Sequence, residues 1–436
     1  MNFLYLLPPI VSALLIAAHF LRSGNSGLLL LSLIVPFILF IRRVWAIRVF
    51  QGLLIIGGLV WSTTGVQMIQ LRQVSGESWT RLAVIMGTVA LFTVGSAFIF
   101  EAKRLRSLFQ GSTTKSMPSL AAFALTALIL TIVQLKVHPP MILLERFLPN
   151  GGWLEIFILS IYAGFISEKM QDAGQSALWR HRIWAVFSIV FFAQLIIGVL
   201  GIDKFLMTGK LHLPIPALIV AGPIFRGGSY FMPILFIATV AIVGPAWCSH
   251  LCYVGAWDDI ASRRRKKPAK MPSWRQPVRI AILALVIGTA ILLRATGVSA
   301  FAAGIAALSF GLIGVGIMIF WSHSAGVMTH CVTFCPIGPL ANWLGKISPF
   351  RIKISNSTCT DCTICHVACR YDALNDINIA KRRPGISCTL CGDCISPCRN
   401  GSMQYYFPGL TGNHARTLFI VLVVSLHAVF MGVARM

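Results

Sequence analysis

The feature that most constrains this chain is a recurrence of apolar runs long enough to cross a bilayer, which takes about 20 residues with a range of about 17–25. Eleven such runs are read at roughly 3–21, 27–41, 49–69, 82–100, 118–135, 153–167, 183–202, 231–247, 278–296, 301–321 and 417–434, the second and sixth being short. Of the 436 residues 56% are hydrophobic and only 11% charged, against about 25% charged in an ordinary soluble domain. A water-soluble protein of this size has no interior large enough for that much apolar surface. Gly and Pro show no period, which excludes a collagen-like or disordered chain. The first run lacks a basic leader, and Leu21-Arg22-Ser23 is a poor cleavage site. It therefore reads as a span rather than a signal peptide.

The charged minority is lopsided, with 37 Lys+Arg against 13 Asp+Glu and a net charge of +24. A nucleic-acid binder can have such a balance, but the placement argues for membrane topology. With the N-terminus in the cytoplasm, 27 of the 37 basic residues fall on the cytoplasmic face. They include Arg42, Arg43, Arg48, Lys103, Arg104, Arg106 and Lys115, and the run Arg263 to Lys267. The expectation is a multi-pass protein of a bacterial-type inner membrane, in contact with anionic lipid and not with nucleic acid. The long connection 322–416 then lies in the cytoplasm.

All twelve cysteines lie at or beyond residue 248. A disulfide framework belongs to small secreted chains, so metal-ligand spacing is the better account. Cys359, Cys362, Cys365 and Cys369 read C-x2-C-x2-C-x3-C, and Cys388, Cys391, Cys394 and Cys398 repeat the pattern 29 residues later. This is the bacterial two-cluster ferredoxin spacing, in which each run gives three ligands to one 4Fe–4S cluster and its fourth to the other. The expected assignment is Cys359, Cys362, Cys365 and Cys398 to the first cluster, and Cys388, Cys391, Cys394 and Cys369 to the second. Two complete copies argue against structural zinc. Cys362 to His366 also matches the haem attachment pattern C-x-x-C-H, but both cysteines already belong to the larger run. Arg370 and Arg399 stand where Pro usually follows the fourth cysteine. Cations there favour the reduced, more negative clusters.

A second set repeats as well. Cys248-Ser-His-Leu-Cys252-Tyr-Val-Gly255 and Cys331-Val-Thr-Phe-Cys335-Pro-Ile-Gly338 both read C-x3-C-x2-G, offset by 83 residues. Each follows a span, so spans 183–202 with 231–247 and spans 278–296 with 301–321 read as two copies of one unit. Cysteines at i and i+4 share an α-helical face, and two such faces brought together offer four thiols: a third Fe–S or metal site, or a redox dithiol pair. The plainer alternative is small cysteines packing span ends.

From about 183 to 407 the chain resembles the NapH/NosR-type membrane polyferredoxins, and with them the CcoG/RdxA-type proteins. The resemblance rests on four spans, paired C-x3-C motifs and a two-cluster domain, and the segment Leu211 to Ile224 resembles the extracytoplasmic loop of that family. Tyr253 stands where the family has Pro, whereas the second motif keeps Pro336. The resemblance implies electron transfer linked to membrane quinone and respiratory partner proteins. Its CcoG/RdxA branch implies oxidase assembly and copper handling.

The fold expected is an all-α polytopic membrane protein of about 11 transmembrane helices with a small α+β two-cluster ferredoxin-like cytoplasmic domain. Its divisions are 1–182, a six-helix module without chemistry-bearing motifs; 183–350, a four-helix module; 351–410, the two-cluster domain; and 411–436, a last span. No catalytic acid, base or nucleophile is expected, so the chain reads as an electron-transfer subunit of an oxidoreductase, quinol dehydrogenase-like. The alternatives are an assembly or metal-reductase factor, or an ion-coupled machine using the first module. His19 and His427 lie in spans, where histidine is a functional candidate. Each reads more simply as a histidine bonded to a carbonyl than as a haem ligand. His250, His323 and His330 are proton-relay candidates or polar helix ends. Glu155 and Arg294 read as interface residues, and Asp258 and Asp259 as charge balance in a solvated loop.

Overall fold

The computed structural model describes residues 5–102, 113–205 and 213–433, with the side chains of 113–115 left out. Lys103, Arg104, Arg106, the Lys115 side chain, Leu211, His212 and the outer ends of the first and last apolar runs therefore lie outside the described residues. Among the described residues eight helices are long and apolar enough to cross a membrane. They are Val44–Val74, Thr80–Glu101, Ser116–Lys136, Ala173–Val199, Phe231–Leu251, Arg275–Ala295, Ala300–Ala325 and Gly412–Val433. Leu7–Arg22 and Ser26–Ile41 are shorter apolar helices, and the run at 153–167 lies inside the helix Gly152–Gln171. The outer faces of these helices carry large bare apolar side chains. Leu91 is 76% exposed, Phe301 79% and Phe320 78%. Such a continuous apolar surface is what a hydrocarbon solvent accommodates and water does not.

The chain divides into two compact units, Met1–Glu168 and Lys169–Met436. In the first, Val44–Val74 and Thr80–Phe98 form a tight helical pair. Gly57 and Gly58 leave no room for a methyl group, because Ile16 and Val94 fill the space. Small residues allow such close helix approach in membranes. Trp45, Phe50, Phe100 and Phe157 form the core. Glu155 is structural: its carboxylate accepts the Leu144 N–H (2.7 Å), while Glu145 accepts those of Asn150 and Gly152.

The second unit contains both repeats. Between its last two long helices runs the eight-cysteine segment, closed at its ends by an antiparallel pair of strands, β1 (Arg351–Ile354) and β2 (Met403–Tyr406). The register sets Arg351 opposite Tyr406 and Ile354 opposite Met403. Ile352, Ile354, Met403 and Tyr405 are buried, as period-two alternation on a half-covered sheet requires. Tyr405 stacks on Phe419 of the last helix at 4.6 Å. The sheet thus fastens both ends of the cysteine segment to the helical part of the same unit.

Candidate metal centre

The two C-x3-C motifs share a backbone. Trp247–Leu251 and His330–Phe334 are single π-helical turns, each closed by a bond from the second cysteine to the residue five positions back. Cys252 N–H donates to the Trp247 carbonyl (2.9 Å) and Cys335 N–H to the His330 carbonyl (2.8 Å). Both second cysteines are extended. The expectation of two cysteines on one α-helical face is therefore corrected: a wider π turn, which recurs at functional sites, presents them. The motif glycines have a common cause. Gly255 packs against the Trp184 ring, and a methyl group on Gly338 would collide with the Arg279 guanidinium. Both glycines point an N–H at the sulfur of the second cysteine in their motif.

These turns bring four thiols together. Burial pushes Cys331 well above the ordinary thiol range, and Asp258, Cys335, Cys252 and Cys248 add to the rise. Burial pushes Cys252 up to about 12, with Cys335 contributing, and raises Cys335 despite Arg279 beside it. A redox dithiol needs an accessible thiolate, and burial disfavours the charged form of Cys252, Cys331 and Cys335. A metal displaces thiol protons and is compensated by thiolate charge. The donor set therefore fits a metal centre better than a dithiol pair.

The two cysteine runs of the eight-cysteine segment follow a repeated path. Asp361 and Thr363 flank Cys362 with positive φ of 52° and 58°, and Leu390 and Gly392 flank Cys391 with 58° and 80°. Only one of the four is glycine, so the left-handed turns are backbone strain held by the surroundings. The inner cage is a pocket lined by Cys369, Cys388, Cys391 and Cys394, of which Cys369 and Cys394 are buried. The fourth member comes from the other run, in the interleaved pattern. Burial pushes Cys369, Cys388 and Cys391 up to about 12 and raises Cys394 well above the ordinary thiol range. The Ala373 N–H lies 3.4 Å from the Cys369 sulfur, and the Leu390 and Asp393 amides face those of Cys388 and Cys391. Four sulfurs, backbone donors and an apolar wall fit an iron–sulfur cluster.

The outer cage is open. Cys362 is exposed, and Cys359, Cys365 and Cys398 are half-buried. Burial raises Cys365, and Cys362 and Cys359 beside it add to the rise. Cys398 belongs to a segment carried to this run by Asn400, which donates to the Thr358 carbonyl (3.3 Å), and by Ser402, whose carbonyl accepts the Ser355 N–H (2.9 Å).

Asp258 and Asp259 correct the sequence reading, because both are buried rather than solvated. Asp258 accepts the Cys331 N–H (2.9 Å), linking one motif to the other, and burial pushes it up to about 6. Burial would raise Asp259 too, but Arg180, His181 and Arg263 hold it well below the usual carboxylate range. Arg180 binds Asp393 through Nε (2.8 Å) and Nη2 (2.7 Å), and Arg263 reaches Asp393 at 2.7 Å. His181, Asp259 and Asp393 offer ligand atoms within 4.8 Å of one another. Two guanidiniums already occupy those carboxylates, so the group is an ion-pair network and not a cation site. Arg370 ties the segment to the Gly326 (2.7 Å) and Lys266 (3.1 Å) carbonyls.

The histidines disperse. His250 and His330 are buried in their π turns and His323 is exposed. Burial pushes His330 down to about 4. His427 Nδ1 lies 2.9 Å from the His250 carbonyl, the carbonyl-bonded arrangement expected of a packed histidine. Arg294 donates to the Ile224 carbonyl (3.1 Å). Arg180, Asp393 and Tyr371 were not singled out by the sequence. The one available signal was Asp393 lying between two ligand-spaced cysteines.

Comparison with known proteins points to the same region. Residues 218–271 and 304–355 match a 4Fe-4S binding domain family, one C-x3-C motif falling in each stretch. Over 78 residues, 18% of this chain, it is 27% identical to an uncharacterized protein of Methanocaldococcus jannaschii. Over 227 residues, 47% of this chain, it is 23% identical to Putative electron transport protein YccM of Escherichia coli strain K12. The chain spans 30% of the first relative's length and 59% of the second's. No solved structure matches it.

Proposed function

We propose that this chain is a membrane-bound iron–sulfur electron-transfer protein, of the kind the NapH/NosR-type polyferredoxins represent. In this reading two 4Fe–4S clusters are held by Cys359, Cys362, Cys365 and Cys398 and by Cys388, Cys391, Cys394 and Cys369. A third redox metal centre is held by Cys248, Cys252, Cys331 and Cys335 at the membrane face. The observation that carries it is the order of the thiol sets. Cys362 of the outer set is exposed while Cys369 and Cys394 of the inner set are buried, and the third set closes the ends of apolar helices. Such an order suits single-electron passage between a soluble carrier and a membrane acceptor, with quinone as the membrane partner. The fold supplies placement, burial and charge, while the redox chemistry is the clusters' own.

The basic loops favour a cytoplasmic face for the cysteine segment and lipid contact around eleven spans, the three weaker runs included. Partner subunits of a respiratory chain complete the proposal. Its likeness to YccM adds support.

The test is an anaerobic EPR redox titration of the purified full chain with quinol, alongside iron and acid-labile sulfide analysis. Expected are two 4Fe–4S signals and a further signal lost in Cys248→Ser and in Cys331→Ser. Zinc in place of iron, or no sulfide in protein protected from oxygen, would overturn the reading.

A further inference from the structure

Tyr371 lies between two thiol sets. It is 3% exposed and forms part of the wall of the inner cysteine cavity. Its hydroxyl donates to the Cys248 carbonyl (3.1 Å), within the first C-x3-C turn. Its titratable neighbours include Cys331 from the second turn and Cys391 from the inner cage. One aromatic side chain thus borders the inner cage and both halves of the membrane-face set. A phenol that needs only a neutral hydroxyl for packing has many carbonyls to choose from, and this one bonds a ligand residue of the neighbouring set.

A second, independent observation fixes this arrangement. Arg180 and Arg275 stand at corresponding places in the two repeats, 95 residues apart. Each reaches into the cysteine segment. Arg180 pairs with Asp393 (2.7 Å), and Arg275 with Asp372 (2.6 Å), next in sequence to Tyr371. One turn further along, Trp184 and Arg279 are likewise 95 residues apart and press on the two motif glycines. The internal repeat therefore includes the clamps as well as the cysteines. Ser249 adds a bond to the Thr389 carbonyl (3.0 Å) at the same seam. All the paired groups are largely buried, so removing Arg275 strips the Asp372 carboxylate of its guanidinium, and removing Arg180 leaves Asp393 to Arg263. A loosely tethered redox domain would not carry such contacts.

We propose that Tyr371 is a positioning residue that couples the inner four-cysteine site to the membrane-face four-cysteine site, held at fixed separation by the two repeat-related arginine–aspartate pairs. The proposal rests on the reading of both sets as redox metal centres. The step it serves moves one electron: one site is oxidised, the other reduced, and no bond forms or breaks. A low-potential one-electron carrier supplies the electron, dithionite standing in for it in the test.

The test uses the full chain in nanodiscs, with iron and sulfide content verified and the membrane-face signal identified by its loss in Cys248→Ser. Tyr371→Leu removes ring and hydroxyl, and Tyr371→Phe removes the hydroxyl alone. Two quantities are read: the magnetic interaction between the inner and membrane-face signals, which reports their separation, and the rate at which dithionite-reduced clusters reduce the membrane-face centre. In Tyr371→Leu the rate is expected to fall about tenfold, with the interaction and the iron content unchanged because the arginine–aspartate pairs stay in place. In Tyr371→Phe the ring stays and the rate falls by a smaller factor. An unchanged rate in Tyr371→Leu would overturn the proposal while leaving the electron-transfer reading intact. If Tyr371→Leu loses its iron, a Tyr371→Phe protein with an unaltered membrane-face signal and rate overturns it instead. Wild-type protein without iron and sulfide defeats the underlying reading, and the proposal with it.

Discussion

The inner and outer cysteine sets have the same ligand spacing and the same left-handed turns around their middle cysteine, yet the inner one holds buried thiols and the outer one faces solvent. The difference comes from two residues. At one repeated position the outer run has Asp361 and the inner run Leu390; at another the outer run has Ile364 and the inner run Asp393. Asp361 is exposed and pairs with Arg382 of its own segment. Leu390 is buried, with its side chain pressed close to Gly244. Asp393 is gripped by Arg180 and Arg263. Exchanging polar and apolar residues between two positions decides which cage meets the helices. Spacing makes a cage, whereas the residues between the cysteines decide what that cage is coupled to.

Removing the guanidinium that grips the inner run should therefore have the largest effect. In Arg180→Met, Asp393 and Asp259 lose their most buried partner. Breaking a buried pair costs about 3–5 kcal/mol, and because Arg263 stays on both carboxylates, the low end is expected: about 3 kcal/mol. Denaturant unfolding in detergent, followed by tryptophan fluorescence, measures it. The inner cluster signal should fall with it while the outer one persists. Loss of the outer signal alone would reverse the assignment of inner and outer.

The spans were legible in sequence because hydrocarbon imposes a length, and the cysteines because a cubane imposes a spacing. What the sequence concealed depends on partners far along the chain. Arg180 and Asp393 are 213 residues apart, so Arg180 read as one more basic residue at a span end. Asp258 and Asp259 precede five consecutive cations and read as their counterions. Only the folded unit shows them facing inward, to the Cys331 amide and to Arg180. The π turns were hidden too, because a C-x3-C spacing gives an ordinary helical face as readily as a wider turn. Glu155 could be placed at an interface from its position in a short run, but its work as an acceptor for the Leu144 N–H needed the loop to be seen.

A smaller effect is expected from neutralising one carboxylate of the network. The folded-state pKa of Asp259 lies below the usual value, because Arg180, His181 and Arg263 outweigh burial. A depressed acid contributes stability that is present above its unfolded value, about 3.9, and is lost as pH falls through the folded one. Wild type should thus be more stable than Asp259→Asn at pH 7, and the gap should narrow as pH drops below about 4. Unfolding midpoints of the two proteins across that range measure the gap, and contributions common to both cancel in the difference. A gap constant down to pH 3 would show that Asp259 acts by shape and not by charge.

The outer pair should contribute least. Asp361 and Arg382 form a close ion pair beside the Cys359 sulfur, at a surface where water and salt screen both charges. Asp361→Asn should leave the unfolding midpoint within error of wild type, in contrast to Arg180→Met. Its effect belongs instead to the cluster. With Asp361 neutral, Arg382 keeps its contact with the Cys359 sulfur (3.2 Å) without a competing acid. A nearby cation favours the more negative, reduced cluster. The outer signal should then appear at a higher potential in an EPR titration while the inner signal stays where it was. If both signals moved together, the two cages would not be as differently coupled as their surroundings imply.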